Sequence, residues 1–112
     1  MVNRMSASAS EILAGAVQAL GQGKVIGKTT YGKGIVQSLH TFVDDESGLQ
    51  LTTSSYYDAA DRCPQAVGVT PDIIVEATDT ANLDKPDPES DAQLAAAVEE
   101  VTKMTEAIEN RQ

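Results

Sequence analysis

Apolar residues early in the chain recur at intervals of three and four, the spacing of a helix with one buried face. They are Ile12, Leu13, Ala16, Val17 and Leu20. Ser8 and Glu11 stand just ahead in the order of a capping box, in which each side chain bonds to the other residue's backbone N–H. The pattern predicts a helix that begins near Ser8 and ends at Gly21 or Gly23, since glycine commonly follows the last helical turn.

Four short apolar runs after this helix predict the strands of a sheet. They cover residues 24–27, 35–42, 49–57 and 72–75. Residues 44–48, with the sequence DDESG, form a polar turn that joins the second run to the third as a hairpin. A helix followed by short strands indicates an α/β fold.

The last third of the chain is predicted to be a linker and one more helix. Residues 78–90 hold Pro86 and Pro88 among charged residues, a composition typical of a linker. A capping sequence, SDAQ, then opens a helix over residues 91–110. The apolar stripe of this helix consists of Leu94, Val98, Val101 and Ile108. We expect this stripe to pack either on the core formed by residues 1–77 or on another subunit.

Composition limits the classes of protein and of site. Hydrophobic residues make up 41% of the 112 positions, but aromatic residues make up only 4%, so the core consists mainly of small aliphatic side chains. Cys63 is the only cysteine, which excludes an internal disulfide. The formal net charge is −9, and a chain this acidic is not expected to bind nucleic acid, which requires a basic patch.

One serine and one lysine are candidates for catalysis. A serine hydroxyl is a weak nucleophile that needs an adjacent base, and His40, the only histidine, has no carboxylate placed to orient it. A neutral lysine can act instead, and the positive potential at a helix N-terminus favours the neutral amine. Ser8 before the helix and Lys33 between two glycines fit these roles. Each also has a simpler interpretation, Ser8 as a helix cap and Lys33 as a solvated turn residue.

Four blocks of the sequence resemble the C-terminal processing, or tail-specific, peptidases. NRMSASASEILAGA (3–16) is similar to the family's nucleophile segment and VIGKTTYGKGIVQ (25–37) to its lysine segment, in the same register and without an insertion. LTTSSYY (51–57) and GVTPDI (68–73) resemble two later blocks of the family. The resemblance covers residues 2–76.

The resemblance implies a partial ClpP/crotonase-like core with a short-stranded sheet, an N-terminal catalytic helix and a C-terminal helix. It implies a serine endopeptidase with Ser8 as the nucleophile, Lys33 as the base, Gln37 as the group that orients the lysine, and the Ala9 backbone N–H as one oxyanion donor. No metal or cofactor is implied. The substrates would be peptides or the C-termini of unfolded proteins, and the compartment would be extracytoplasmic, such as a periplasm or cell envelope. Alternatively, Gln37 faces outward from its strand, since it reaches Lys33 only if the backbone bends.

Two loops and the extent of the chain depart from the family pattern. Residues 58–61 and 65–68 replace a Pro-Ser-Gly turn and a Gly-Lys-Gly segment. Family members carry a PDZ domain and the first half of the catalytic core ahead of this point, with the glycine that provides the other oxyanion donor. We therefore expect weak activity or none from the isolated chain, and a homo-oligomer or association with the upstream half of the same protein. The alternative is a non-catalytic binding or assembly module. Glu11 is interpreted as a helix cap and Tyr56 as a packing residue.

Overall fold

The computed structural model describes residues 1–77 and 84–110, which form an α/β arrangement. The two helices of these residues are α1 (Ala9–Ala19) and α2 (Ala92–Glu109), and the four strands are β1 (Ile26–Gly27), β2 (Ile35–Thr41), β3 (Gly48–Ser55) and β4 (Ile73–Ile74). Helices and strands lie where the hydrophobic pattern predicts them, but β1 and β4 are only two residues long. Part of the predicted linker, residues 78–83, lies outside the described residues.

A small parallel sheet forms the centre of the fold. β1 pairs in parallel with β4, and Val2 forms a parallel bridge with Gly27. The Val2 N–H donates to the Ile26 carbonyl at 2.8 Å, whereas the Ile73 N–H donates to the Val25 carbonyl at 3.2 Å. Because neighbouring residues of a strand point their carbonyls to opposite sides, Val2 and β4 flank β1 on its two edges. α1 is therefore the crossover between two parallel chain segments.

The core beside this sheet is small and aliphatic, as the composition predicts. Val2, Ala14, Val25 and Val69 form its buried cluster. Ala14 brings α1 onto the sheet, while Leu13 and Leu20 on the same helix remain more than 60% exposed. Burial of so few apolar side chains supplies only part of the stabilisation that a domain of this length needs.

The β2–β3 hairpin extends from this core with both faces exposed. Its strands pair antiparallel, with a bulge between Val36 and Gln37. All eight residues of β3 are exposed, and Leu39 of β2 is 68% exposed. Within the described residues, no other helix or strand packs on the hairpin.

α2 is anchored only at its beginning. The Asp91 carboxylate caps the helix by accepting hydrogen bonds from the Gln93 and Leu94 N–H groups, and the buried Gln93 amide donates to the Val75 carbonyl at 2.9 Å. Of the predicted stripe, Leu94 is half-buried, but the later members are exposed, Val98 at 48% and Ile108 at 60%. Beyond Leu94, the stripe therefore does not pack on the described part of the core.

The two projecting elements make the molecule long. The radius of gyration is 18.1 Å and the extents are 63 × 33 × 23 Å, whereas a compact chain of this size has a radius of about 13 Å. Neither helix of the described part is both long and apolar enough to cross a membrane.

Candidate active site

Ser8 lies on the turn between the Val2 segment and α1, with an unusual backbone conformation. Its φ is +56° and its ψ is −115°, a region that non-glycine residues rarely occupy and that costs about 1–3 kcal/mol. A serine on a strained turn between a strand and a helix is the arrangement by which hydrolases expose a nucleophilic hydroxyl. The geometry of Ser8 is thus more than a helix cap requires.

Ser8 and Glu11 form the predicted capping box at the start of α1. The Ser8 N–H donates to Glu11 Oε2 at 2.9 Å, which is the carboxylate half of the predicted capping box. The Glu11 N–H stands opposite the Ser8 side chain in capping-box position, but it donates to the Ser8 carbonyl at 2.9 Å and no hydrogen bond of full geometry to the hydroxyl is formed. The hydroxyl therefore lies at the start of the helix, in the position that the capping box predicts.

The Ala9 N–H is the first backbone donor of α1, and the next three N–H groups of the helix are already hydrogen-bonded. Among the described residues, none accepts a hydrogen bond from it. Together with the positive end of the helix dipole, such an N–H favours a negatively charged oxygen beside Ser8. The role of the Ala9 N–H as an oxyanion donor stays a prediction.

Glu11 is the most completely buried large side chain of the described residues, with 1% of its surface exposed. Besides the Ser8 N–H, its carboxylate accepts hydrogen bonds from the Thr30 hydroxyl, from the Gly32 N–H at 2.7 Å and from the Lys33 N–H at 2.9 Å. Burial by itself raises the pKa of this carboxyl, but the hydrogen bonds from Thr30, Lys33, Gly32 and Ser8 outweigh it, so the pKa is lowered. Glu11 is therefore a buried anion with its acceptor sites filled.

This carboxylate brings the two predicted catalytic segments together. The N–H groups of Ser8 and Lys33 donate to the same oxygen, Oε2 of Glu11, each at 2.9 Å. Their nitrogens can consequently be no further apart than twice that distance. Glu11 was expected to serve the helix cap; the structure adds the bonds to the loop of the candidate base.

The glycines on either side of Lys33 are required by close packing. Gly32 has a φ of +90°, and its carbonyl accepts the Ala66 N–H at 2.9 Å. At Gly34, a Cβ atom would lie 2.6 Å from the backbone nitrogen of Gln65, so no larger residue fits without moving the backbone. Lys33 itself is half-buried, and in the described part of the chain its ammonium has no hydrogen-bond or carboxylate partner.

Tyr56 contacts the same two segments from the carbonyl side. Its hydroxyl donates to the Lys33 carbonyl and lies 3.2 Å from the Ser8 carbonyl, and its N–H donates to the Gly34 carbonyl at 3.0 Å. Burial, with smaller electrostatic contributions from Glu11 and Cys63, raises the pKa of the phenol. A single tyrosine gives no sign of its distant partners in the sequence, which therefore predicts only a packing role for Tyr56.

Gln37 makes its contacts across the hairpin. Its amide nitrogen is 3.5 Å from the Thr52 hydroxyl, and its amide oxygen accepts from Gln50 at 3.3 Å. Both partners are on β3, so the side chain lies over one face of the β2–β3 pair. The bend that could turn it towards Lys33 is present as the bulge at Val36, and its role as the orienting group stays a prediction.

The turn that departs from the expected pattern is held by its own ion pair. Asp58 Oδ2 accepts a hydrogen bond from Arg62 Nε at 2.8 Å and lies 2.7 Å from Arg62 Nη2 in an ion pair, while Asp58 Oδ1 accepts from the Ala60 N–H. A Cβ atom on Gly15 would lie 3.1 Å from the Asp58 Cβ, so the turn packs directly on α1. A cavity of about 400 Å³ lies between α1 and the chain that follows this turn. Within residues 1–77 and 84–110, no cluster of metal-binding side chains occurs.

Comparison with known proteins gives one consistent relationship. The model of peptidase family S41 matches residues 1–75. The carboxy-terminal-processing protease of Bartonella bacilliformis is 43% identical over 76 residues, which are 68% of this chain and 17% of the relative. The chloroplastic carboxyl-terminal-processing peptidase 2 of Arabidopsis thaliana is 47% identical over 72 residues, 64% of this chain and 14% of the relative.

Among solved structures, the photosystem II D1 C-terminal processing protease is similar to this chain. It superposes with a TM-score of 0.57 at 39% sequence identity, over 66% of this chain and 19% of that chain. The chain thus spans less than a fifth of the length of the proteins it matches, and the match ends before α2.

Proposed function

The chain belongs to peptidase family S41, and from this relationship we propose that it carries the serine and lysine of a peptidase active site that cleaves proteins near their C-termini. The observation that supports this most directly is the shared Glu11 oxygen, which holds the backbones of Ser8 and Lys33 side by side. The strained conformation of Ser8 and the free N–H of Ala9 support the same assignment.

In the proposed reaction, Ser8 Oγ attacks the carbonyl carbon of the scissile peptide bond. Lys33 Nζ accepts the hydroxyl proton and returns it to the leaving amine, which leaves an acyl-enzyme on Ser8. Water then attacks the ester, with Lys33 as the base again. The Ala9 N–H stabilises the oxyanion of each tetrahedral intermediate, and Gln37 orients the lysine.

The proposal extends to the fold of the parent enzyme and to its compartment. The strand–helix–strand unit around α1 would be the second half of a ClpP/crotonase-like core, and peptides or disordered protein C-termini the substrates. An extracytoplasmic compartment fits the family. Since the chain spans less than a fifth of its relatives, a second oxyanion donor would come from elsewhere. The loss of one such donor lowers turnover about 10²–10³-fold, so we expect the isolated chain to hydrolyse peptides weakly or not at all.

Labelling with a fluorophosphonate tests the proposal without requiring turnover, because only an activated serine reacts. We expect mass spectrometry to find the adduct on Ser8, with Ser8→Ala and Lys33→Met abolishing it. Ser10→Ala and Lys24→Met are matched controls on the same helix and beside β1, and should label as the unmodified chain does. Labelling that survives Lys33→Met would refute the lysine as base. The absence of any Ser8 adduct would favour the alternative, a non-catalytic module that retains the fold.

A further inference from the structure

The Tyr56 hydroxyl is placed between the carbonyl groups of the two candidate catalytic residues. It donates to the Lys33 carbonyl, and the Ser8 carbonyl lies 3.2 Å away. A phenol has a single proton, so the two carbonyls share it. Tyr56 also donates its own N–H to the Gly34 carbonyl, which fixes the ring relative to the loop of residues 30–34, here called the lysine loop.

The Lys33 peptide depends on this hydroxyl. Its N–H is held by Glu11 at 2.9 Å, and within the described residues the Tyr56 hydroxyl is the only donor to its carbonyl. With the groups on both sides of the Lys33 Cα fixed, the direction of its side chain from the backbone is fixed as well. Removal of either bond allows the loop to rotate and moves the ammonium.

The backbone conformation of Ser8 also depends on the Tyr56 hydroxyl. A positive φ at a non-glycine residue persists only where the surroundings determine it from several sides. The Ser8 N–H is bound by Glu11, and its carbonyl accepts the Glu11 and Ile12 N–H groups at 2.9 and 3.1 Å. Among the described residues, Tyr56 is the contact to this carbonyl that comes from outside α1, and it links the carbonyl side of the turn to the lysine loop.

We propose that Tyr56 is a positioning residue that sets the separation of Ser8 and Lys33 by bridging their carbonyls, opposite the Glu11 bridge between their N–H groups. This inference rests on the proposed function for its catalytic consequence, but the bridge itself is testable without it. Because the phenol has a raised pKa, it keeps its proton at neutral and mildly alkaline pH and remains a donor.

The test compares Tyr56→Phe with Tyr57→Phe, a neighbouring tyrosine that is 59% exposed. Loss of one hydrogen bond corresponds to about a tenfold change, so we expect Tyr56→Phe to lower the rate constant of Ser8 fluorophosphonate labelling about tenfold. Tyr57→Phe should label at the rate of the unmodified chain. Tyr56→p-aminophenylalanine, which keeps a donor in the same place, should restore the rate. Thermal unfolding confirms that each variant is folded.

Backbone amide exchange at Lys33 and Gly34, measured on the same variants, separates the two proposals. Faster exchange in Tyr56→Phe alone supports the bridge, even if no variant labels and the proposed function is thereby refuted. Unchanged exchange together with unchanged labelling overturns the inference. If Tyr56→Phe does not fold, Tyr56→p-aminophenylalanine decides: exchange as in the unmodified chain supports the bridge, and faster exchange contradicts it.

Discussion

The lysine loop (residues 30–34) and the β2–β3 hairpin follow each other along the chain but are held in opposite ways. The loop is fixed by polar contacts to distant residues, chiefly the buried carboxylate of Glu11. In the described part of the chain, the hairpin is held by its own ladder and by side-chain bonds between its two strands, and it exposes apolar side chains such as Leu39 and Val36. The order of the candidate site therefore comes from buried hydrogen bonds rather than from a large apolar core, while the apolar surface of the hairpin remains uncovered.

Replacement of the buried carboxylate should break the site most severely. In Glu11→Gln, the N–H groups of the new amide face the N–H and O–H groups that donate hydrogen bonds to the carboxylate in the unmodified chain. We therefore expect the free energy of unfolding to fall by about 3 kcal/mol. Ser8 labelling should be lost with it. Urea unfolding measures the first effect and mass spectrometry the second. Glu106→Gln, on the exposed part of α2, is the control; equal unfolding of the two variants would contradict the role assigned to Glu11.

A methyl group at Gly34 should be the next most disruptive change. The added Cβ lies 2.6 Å from the Gln65 backbone nitrogen, and such overpacking costs about 2 kcal/mol. Gly48→Ala in the hairpin is the matched substitution, since its Cβ finds its nearest neighbour at 3.4 Å. The midpoint of thermal unfolding should fall strongly in Gly34→Ala and little in Gly48→Ala. Similar shifts in the two variants would show that the lysine loop and the hairpin tolerate an added methyl group equally.

Acidification should weaken the lysine loop before it affects the hairpin ladder. Because the pKa of Glu11 is lower in the folded chain than its ordinary value of 4.5, the folded state binds fewer protons than the unfolded state between the two values. The contribution of Glu11 to the free energy of unfolding is complete above the unfolded pKa and is lost as the pH falls through the folded pKa. Unfolding free energies from pH 7 to pH 3 should fall less steeply in Glu11→Gln, and parallel curves would exclude this contribution.

Substitutions on the exposed surfaces of the β2–β3 hairpin and of α2 should change the free energy of unfolding by no more than about 0.5 kcal/mol. We expect them to change the assembly of the protein instead. We predict an oligomer in solution whose contact includes the stripe of α2. Val98→Asp should then return light scattering to the monomer mass of 11.8 kDa, while Leu39→Asp separates a contact through the hairpin from one through α2. A monomer mass for the unmodified chain at high concentration would disprove the prediction.

The helices and the hairpin could be predicted from the sequence, but the contacts between segments that are distant in the sequence could not. α1 and the hairpin follow from periodicity and turn residues within a few positions, and Gly21 ends α1 with a φ of +62° as expected of a helix-terminating glycine. β1 and β4 are shorter than predicted because their pairing depends on each other and on Val2, not on the length of an apolar run.

At the site, the resemblance identified Ser8 and Lys33, and the capping pattern identified Glu11. The bonds from Glu11 to Gly32 and Lys33, and those of Tyr56, join residues far apart in sequence. No spacing rule encodes such contacts, and the positive φ of Ser8 likewise follows from its surroundings rather than from its own preference.

The Glu11 bridge also makes the order in which the chain is synthesised matter. Ser8 leaves the ribosome before residues 30–33, so its turn lacks the partners that hold it in the strained form until the lysine loop has emerged and docked. A nascent or truncated chain that ends before Gly32 would carry a relaxed, unreactive serine. Under the proposed function, the enzyme is thereby harmless to its own unfolded chain until folding has joined the two segments.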